Sequence, residues 1–413
     1  ATAMLEQPNT LPDPKHLAAG FTYLGQFIDH DLTLDKTAVA LGEEVSVEEL
    51  LQGRSPSLDL DSVYGRGPRR EPKFYEDDQL RLKIGSTAAV SGDAKVAVDR
   101  PGFDLPRVGS GSSKSERRIA NIPDPRNDEN LVVAQTHVAF IRFHNRVVEA
   151  LARETPSFAL FDRARAQVVK HYQWMIRTDF LPRLIEQDVL DDVFKNGRKH
   201  FEVARPHPGK KAEFSPVADH AERFGSMPIE FSVAAYRLGH SMVRAGYTWN
   251  RIFPRASLDL LFRFSGTSGT LSPPPPDDFR SDPNSGEFER LPTNWIADWR
   301  RLYDFAADAA RPDLVAPGGA FNLARGLDTL LVDPLKNMPT GTFGPKVPGD
   351  AETHGLQLNL AFRNLTRSAM LALASGQQLA KLFEVAPLTD DEILQGIALE
   401  DGKTKLVGDV ATK

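Results

Sequence analysis

The stretch Phe21-Thr-Tyr-Leu-Gly25-Gln26-Phe-Ile-Asp29-His30-Asp31-Leu-Thr33 decides how the chain is read. Its apolar residues recur at helical spacing, which predicts a helix within Leu17–Leu34. Gln26 and His30 stand four residues apart and share one face, so a titratable base lies beside a neutral amide. Asp29 and Asp31 flank the histidine and point to other sides. Three polar side chains in a row inside Phe, Leu and Ile either form one solvated edge or each need a buried partner, because an unpaired buried polar group is costly.

Helical spacing recurs outward from this segment in Leu131–Leu151, Phe161–Leu184, Ile229–Val243, Trp295–Phe305 and Leu356–Phe383, while two-residue alternation is scarce. The fold class expected is mainly α with little β. Long Pro/Gly/Ser-rich connections separate the helices: Gly53–Pro72, Asp99–Ser115, and Gly266–Gly286 with its Pro273–Pro276 run. No repeat and no compositional boundary divides the chain, so residues 1–413 are expected to form a single large helical domain with long loops.

Composition narrows the chemistry. The 413 residues are 41% hydrophobic and 26% charged, as in ordinary globular proteins, and contain no Cys. Disulfides, iron–sulfur clusters, thiolate-ligated haem and cysteine zinc sites are therefore excluded. A net charge of −6 without a dense Lys/Arg stripe argues against a nucleic-acid partner. No apolar run approaches the ~20 residues of a membrane span. The chain opens at Ala1 with no basic and apolar leader, which reads as a processed or trimmed product and leaves the compartment, secreted or cytoplasmic, undetermined. Gly109–Ser115 lacks the Gly-Lys-Ser/Thr ending of a phosphate loop and reads as an ordinary loop.

Three further segments place charged and amide groups near helices. Arg126 and Glu129 stand three apart in Asp124-Pro-Arg-Asn-Asp-Glu-Asn130, just before a helix start. His240 closes an apolar helical face with Arg237 one turn before it. Asn364 and Arg367 share another helix.

Together the four segments resemble the animal-type haem peroxidase family, which includes myeloperoxidase, lactoperoxidase, thyroid peroxidase and peroxidasin, and especially its cysteine-free bacterial members. The resemblance spans about residues 15–385. Gly25-Gln-Phe-Ile-Asp-His-Asp31, Asp124-Pro-Arg-Asn-Asp-Glu129 leading to His144-Asn-Arg146, Tyr236-Arg-Leu-Gly-His240, and Asn364-Leu-Thr-Arg367 carry it, in the family's order.

The resemblance implies a b-derived haem with His30, Gln26 and Arg126 on its distal side. His30 is expected to take a proton from hydrogen peroxide and pass it to the departing oxygen, while Arg126 stabilises the developing charge, leaving water and a ferryl-type oxidant. Gln26 is expected to anchor a distal water and shape a small-anion site. His240 is the implied iron ligand, with Asn364 accepting from its other ring nitrogen and Arg237 and Arg367 as proximal cations near the propionates. A neutral Asn partner favours a higher iron potential than a carboxylate. Asp29 and Glu129 occupy the family's ester-forming positions. Asn130 stands where myeloperoxidase has a sulfonium-forming Met, which implies weaker chloride oxidation.

Asp31 matches a calcium ligand, with Ser55, Ser57, Asp59 and Asp61 completing the set from the loop ending in Val63-Tyr-Gly65. Read without the family, that loop is a polar turn. His16, His137, His144, His171, His200, His207, His220 and His354 receive no haem role, and Trp295 and Trp299 read as packing residues.

The function implied is reduction of hydrogen peroxide coupled to oxidation of bromide, iodide, thiocyanate or phenols. Two alternatives stand beside it. A fatty-acid dioxygenase on the same fold needs a Tyr three residues before the proximal His, where this chain has Arg237; Tyr236 lies one place earlier, about 100° round an α-helix. A catalytically silent adhesion or scaffold protein would be free to lose His30 or Arg126, and both are present.

Overall fold

The computed structural model describes residues 17–37, 42–46, 49–92, 94–112, 114–197, 227–253, 256–263, 289–319, 321–327, 331–338 and 358–389. The run 266–286, with Pro273–Pro276, lies outside the described residues, as do His16, His200, His207, His220 and His354.

The opening segment forms helix α1 (Gly20–Leu32), in which every residue but Gln26 is buried. It is therefore not a helix with one solvated edge, and its polar groups must be satisfied from within the protein. Its entry is satisfied by backbone: the Ala19 and Gly20 N–H groups donate to Asn322 and Leu302 carbonyls, each at 2.8 Å. Gly20 is obligatory there, since a Cβ would lie 2.3 Å from the Tyr303 ring and 2.6 Å from the Leu302 carbonyl oxygen.

Helix α2 (Leu131–Leu151) starts at Asn130, whose side chain accepts from the Val132 and Val133 N–H groups at 3.1 Å. Its apolar face packs between α1 and helix α3 (Ser157–Met175). Phe27 of α1 stacks on Phe140 of α2 with centroids 5.0 Å apart, and Tyr172 of α3 meets both edge-on. Beyond α3 the chain widens into a π turn at Ile176–Phe180 and tightens into a 3-10 turn at Leu181–Arg183. Helix α4 (Gln187–Asn196) follows.

The predicted Ile229–Val243 helix is broken. An α-helix covers only Ile229–Val233, Ala234 leaves helical geometry at φ −121° and ψ −66°, and Ala235–Met242 is a 3-10 helix. The Trp295–Phe305 expectation fails for a local reason: Asp298 caps a new turn by accepting from the Arg300 N–H, so the chain makes separate 3-10 turns at Thr293–Trp295 and Trp299–Arg301. Leu356–Phe383 resolves into α5 (Leu360–Met370) and α6 (Gly376–Leu382), parted where Ala372 adopts a left-handed φ of 45°.

Strands are few among the described residues: Gly85–Ser86 pairs antiparallel with Pro101–Asp104, and Gly246–Tyr247 with Ala256–Ser257. The mainly α class with little β is thus the observed one. One connected apolar cluster runs from Leu17 to Ala361, with Trp249 and Trp295 fully buried in it. A buried ion trio fastens the site region to it: Arg107 donates to Asp104 at 2.7 Å and Asp128 at 2.6 Å, tying strand Pro101–Asp104 to the 3-10 turn Pro125–Asp128. No helix among the described residues is long and apolar enough to cross a membrane.

Candidate functional site

The last turn of α1 faces the Pro125–Asp128 turn and the start of α2. His30 is buried, with Nδ1 2.9 Å from Asn127 Oδ1 and Nε2 3.7 Å from Glu129 Oε2. Burial, and then Arg126, lower its pKa to about 4 against the opposing pull of Asp124 and Asp29. The ring is therefore neutral at pH 7, as a proton acceptor must be.

Arg126 is clamped. Its Nε and Nη2 donate to the two Asp124 oxygens at 3.0 and 2.7 Å, and Nη2 also donates to the His30 carbonyl at 2.9 Å. Asp124 additionally accepts from Arg54 Nε and Nη2 at 3.1 and 2.6 Å. Burial alone raises the Asp124 carboxyl, but Arg126 first and Arg54 next bring it well below the usual carboxylate range. Gln26 is oriented at both ends: Oε1 accepts from Asn130 Nδ2 at 3.0 Å, and Nε2 donates to Glu129 Oε2 at 3.1 Å. Burial pushes the Glu129 carboxyl up to about 7 against the pull of Arg126.

Arg126 and Glu129 keep 22% and 20% of their side-chain surface open. Both groups are thus desolvated by their surroundings while part of each side chain stays open.

The 3-10 helix Ala235–Met242, which packs against α1, carries His240. Three residues per turn place Arg237 directly over His240, and Arg237 Nη1 reaches within 3.7 Å of Asp29 Oδ2. Asp29 also accepts from Thr33 Oγ1 at 3.0 Å. Burial and Arg237 lower the His240 pKa to about 4. Asn364 Nδ2 lies 3.5 Å from His240 Nδ1. In this arrangement the amide donates; half a turn about its Cβ–Cγ bond brings Oδ1 to the ring and frees Nε2.

Arg367 is placed elsewhere: it pairs with Asp35, just beyond α1, and not with Asn364. The cation of α5 that senses Glu129 is Arg363, which the sequence reading passed over. Tyr236 spends its hydroxyl on the Gly25 carbonyl at 2.9 Å.

Asp31, Asp59 and Asp61 converge, each offering an oxygen within 4.8 Å of the others. Asp31 accepts from the Leu60 and Ser62 N–H groups at 3.1 and 3.3 Å and from Ser62 Oγ at 3.1 Å. Burial, then Asp61 and Asp59, push the Asp31 carboxyl up to about 7, and burial with Asp59 pushes Asp61 up to about 6 despite Arg54. Ser57 Oγ, Asp59 Oδ1 and Asp61 Oδ1 are buried without a hydrogen-bond partner. Ser55 holds the loop, its N–H donating to Asp61 and its Oγ accepting from the Ser57 N–H. Crowded carboxyls with orphaned oxygens fit a hard cation.

Sequence reasoning missed Asp124, Arg54, Asn127 and His137. Only the density of polar residues in Asp124–Asn130 hinted at the first and third. Arg54 and His137 gave no local signal, because their partners lie 70 and 10 residues away. His144, by contrast, has both ring nitrogens occupied, by Tyr64 Oη at 3.0 Å and the Leu80 carbonyl at 2.9 Å.

A family model described as animal haem peroxidase matches residues 37–260, which takes in the carboxylate loop, Arg126, Glu129 and His240. A peroxidase-like protein of Margaritifera margaritifera is 32% identical over 205 residues, 46% of this chain and 22% of that protein. A chorion peroxidase of Aedes aegypti is 23% identical over 313 residues, 63% of this chain and 38% of that protein. The chain thus spans under two fifths of either relative's length. Among solved structures, Peroxidase A from Dictyostelium discoideum shares the fold with a TM-score of 0.53 at 15% identity, covering 96% of this chain and 72% of that one. A fatty acid alpha-dioxygenase of Arabidopsis thaliana does so at 0.58 and 14%, covering 96% and 61%.

Asp124 is the hub of this geometry, and Asp124→Asn is expected to cost about 3–5 kcal/mol at pH 7 by leaving two guanidinium groups short of their counter-charge. Because its native pKa is depressed, its contribution is present above the unfolded value near ~4 and is lost as pH falls through the folded value. The gap between the urea midpoints of wild type and variant should therefore begin to narrow only below about pH 4 and keep narrowing as the pH falls further; equal midpoints at pH 7 would remove Asp124 from that role.

Proposed function

The chain belongs to the animal haem peroxidase family, and on that premise we propose that it is a haem-dependent peroxidase that reduces hydrogen peroxide and oxidises bromide, iodide, thiocyanate or a phenol. The observation that carries this reading is His30, buried and neutral, its Nδ1 engaged by Asn127 and its Nε2 3.7 Å from the partly open Glu129, beside a clamped Arg126.

The residues present fit haem. His240 is a neutral imidazole able to offer Nε2 once Asn364 accepts at Nδ1. Arg237 and Arg363 supply positive charge close by, and Asp29 and Glu129 offer carboxyls for ester links. Bound there, haem would supply an iron that takes up the oxidising equivalents of peroxide and passes them to the donor.

The protein's own contribution is proton movement and charge. His30 Nε2 takes the proton from one peroxide oxygen and returns it to the other, a transfer worth roughly 10²–10⁴ in rate. Arg126, held by Asp124 and the His30 carbonyl, meets the negative charge growing on the departing oxygen without reorganising. Gln26 orients a water or small anion with an amide already fixed by Asn130 and Glu129. Asn130 spends Oδ1 on the α2 cap and Nδ2 on Gln26, and it has no sulfur for a sulfonium link, so chloride oxidation is expected to be weak.

Calcium fits the Asp31–Asp59–Asp61 cluster, with Ser55 and Ser57 completing the loop around it; the orphaned oxygens support this assignment.

The fold is shared with fatty acid alpha-dioxygenases, but here Arg237 lies over His240. Tyr236, one 3-10 step of 120° away, is bonded to Gly25. Aerobic incubation with linoleate against anaerobic incubation with peroxide and bromide separates the two activities, and turnover of the lipid alone would favour the dioxygenase.

Reconstitution with haem should give a Soret band, and His30→Ala should keep that band while slowing peroxide cleavage by several orders of magnitude. In wild type the rate should hold from pH 8 to about 5 and fall near pH 4, where His30 takes up the proton that disables it as a base. An unaltered rate in the variant would remove His30 from catalysis. Calcium should raise the melting temperature little at pH 5, where Asp31 and Asp61 are protonated, and progressively more toward pH 8, with about 2.7 kcal/mol of stabilisation at a hundredfold excess over Kd; a shift independent of pH would exclude those carboxyls as its ligands. Asp29→Val should let acidic solvent extract haem more readily, and unchanged retention would refute an ester at Asp29.

A further inference from the structure

We propose that Asn127 is a positioning residue that sets the tautomer of His30, and that His137 of α2 in turn sets the orientation of Asn127. The Asn127 side chain is fully buried between the two imidazoles, with Oδ1 2.9 Å from His30 Nδ1 and Nδ2 2.9 Å from His137 Nδ1.

The two ends of an amide are not equivalent, and this orders the protons along the line. Oδ1 only accepts, so His30 must carry its proton on Nδ1 and present a bare Nε2. Nδ2 only donates, so His137 Nδ1 must be bare and its proton must sit on Nε2. The rings therefore hold opposite tautomers. Were the amide reversed, its NH₂ would donate to His30 Nδ1, the proton would move to Nε2, and the ring would present Nε2 as a donor, unable to take a proton from a substrate.

Three features hold the amide between the two rings. Asn127 sits in the 3-10 turn that Arg107 grips through Asp128, so its backbone is fixed. His137 is buried on α2 with its ring edge-on to Phe27 at 6.3 Å, which holds its Nδ1 toward the amide. The flanking charges of Asp124 and Arg126 are bonded to each other and leave the Asn127 ends to the histidines.

This inference rests on the reading of His30 as the proton acceptor, and two readouts separate it from that reading. The first needs no cofactor: long-range ¹H–¹⁵N correlation of ¹⁵N-histidine-labelled, haem-free protein, assigned with His30→Gln and His137→Gln. Wild type should show His30 as the Nδ1–H form and His137 as the Nε2–H form. Asn127→Asp, which accepts at both ends, should leave His30 unchanged and move the His137 proton to Nδ1. Asn127→Leu should give His30 an averaged pattern. The second is the rate of peroxide cleavage after haem loading: Asn127→Leu should slow it roughly 10- to 100-fold, the usual loss when an orienting partner is removed, and Asn127→Asp should restore most of it.

An Nε2–H His30 in wild type, or a His137 proton unmoved in Asn127→Asp, overturns the proposal without any reference to activity. Expected tautomers with an unslowed Asn127→Leu overturn the catalytic positioning. A wild-type protein that shows these tautomers yet neither binds haem nor cleaves peroxide overturns the proposed function while leaving the ring–amide–ring order in place.

Discussion

A helix buried on every side that carries Asp29, His30 and Asp31 in a row must find each a partner in a different direction, since successive side chains leave an α-helix about 100° apart. Asp29 turns to Thr33 and Arg237, His30 to Asn127, and Asp31 to the Leu60 and Ser62 N–H groups. One turn of α1 thereby fastens three separate parts of the chain: the 3-10 helix bearing His240, the Pro125–Asp128 turn and the carboxylate loop. The cost of leaving any of these groups unpaired is what makes their mutual placement strict.

Much of this was legible where the signal is local. Helical spacing found α1 and α2, and α2 begins directly after the Asp124–Asn130 segment, as read. Ser55 to Asp61 at alternate positions, and Arg126 three before Glu129, are patterns a reader can see in one stretch. What escaped is set by distance or by fine geometry. The break at Ala234 has no proline or helix-ending glycine to announce it, so the His240 segment reads as an α-helix and folds as a 3-10 helix. Arg367 lies three residues after Asn364, and nothing in that spacing reveals Asp35 waiting 332 residues away in sequence. Arg54 looks like a loop arginine until Asp124 is folded against it.

The charges form a continuous line. Asp61 lies 3.7 Å from Arg54, Arg54 donates to Asp124, Asp124 holds Arg126, and Arg126 grips the His30 carbonyl. Asp124 is also one of the charges acting on Asp61. The carboxylate cluster and the guanidinium beside His30 are thus parts of one low-dielectric network, in which no member's ionisation is independent of its neighbours.

The 3-10 geometry of Ala235–Met242 carries a consequence for the fold at large. Three residues span a full 360° in this helix and only about 300° in an α-helix. With no change of sequence, relaxing the segment to α form would swing residue 237 some ~60° relative to His240 and hand its place over the ring to a different neighbour. The identity of the side chain that oversees His240 is therefore encoded in winding as much as in alignment. Two chains with superimposable motifs can present different groups there simply by coiling at different pitch.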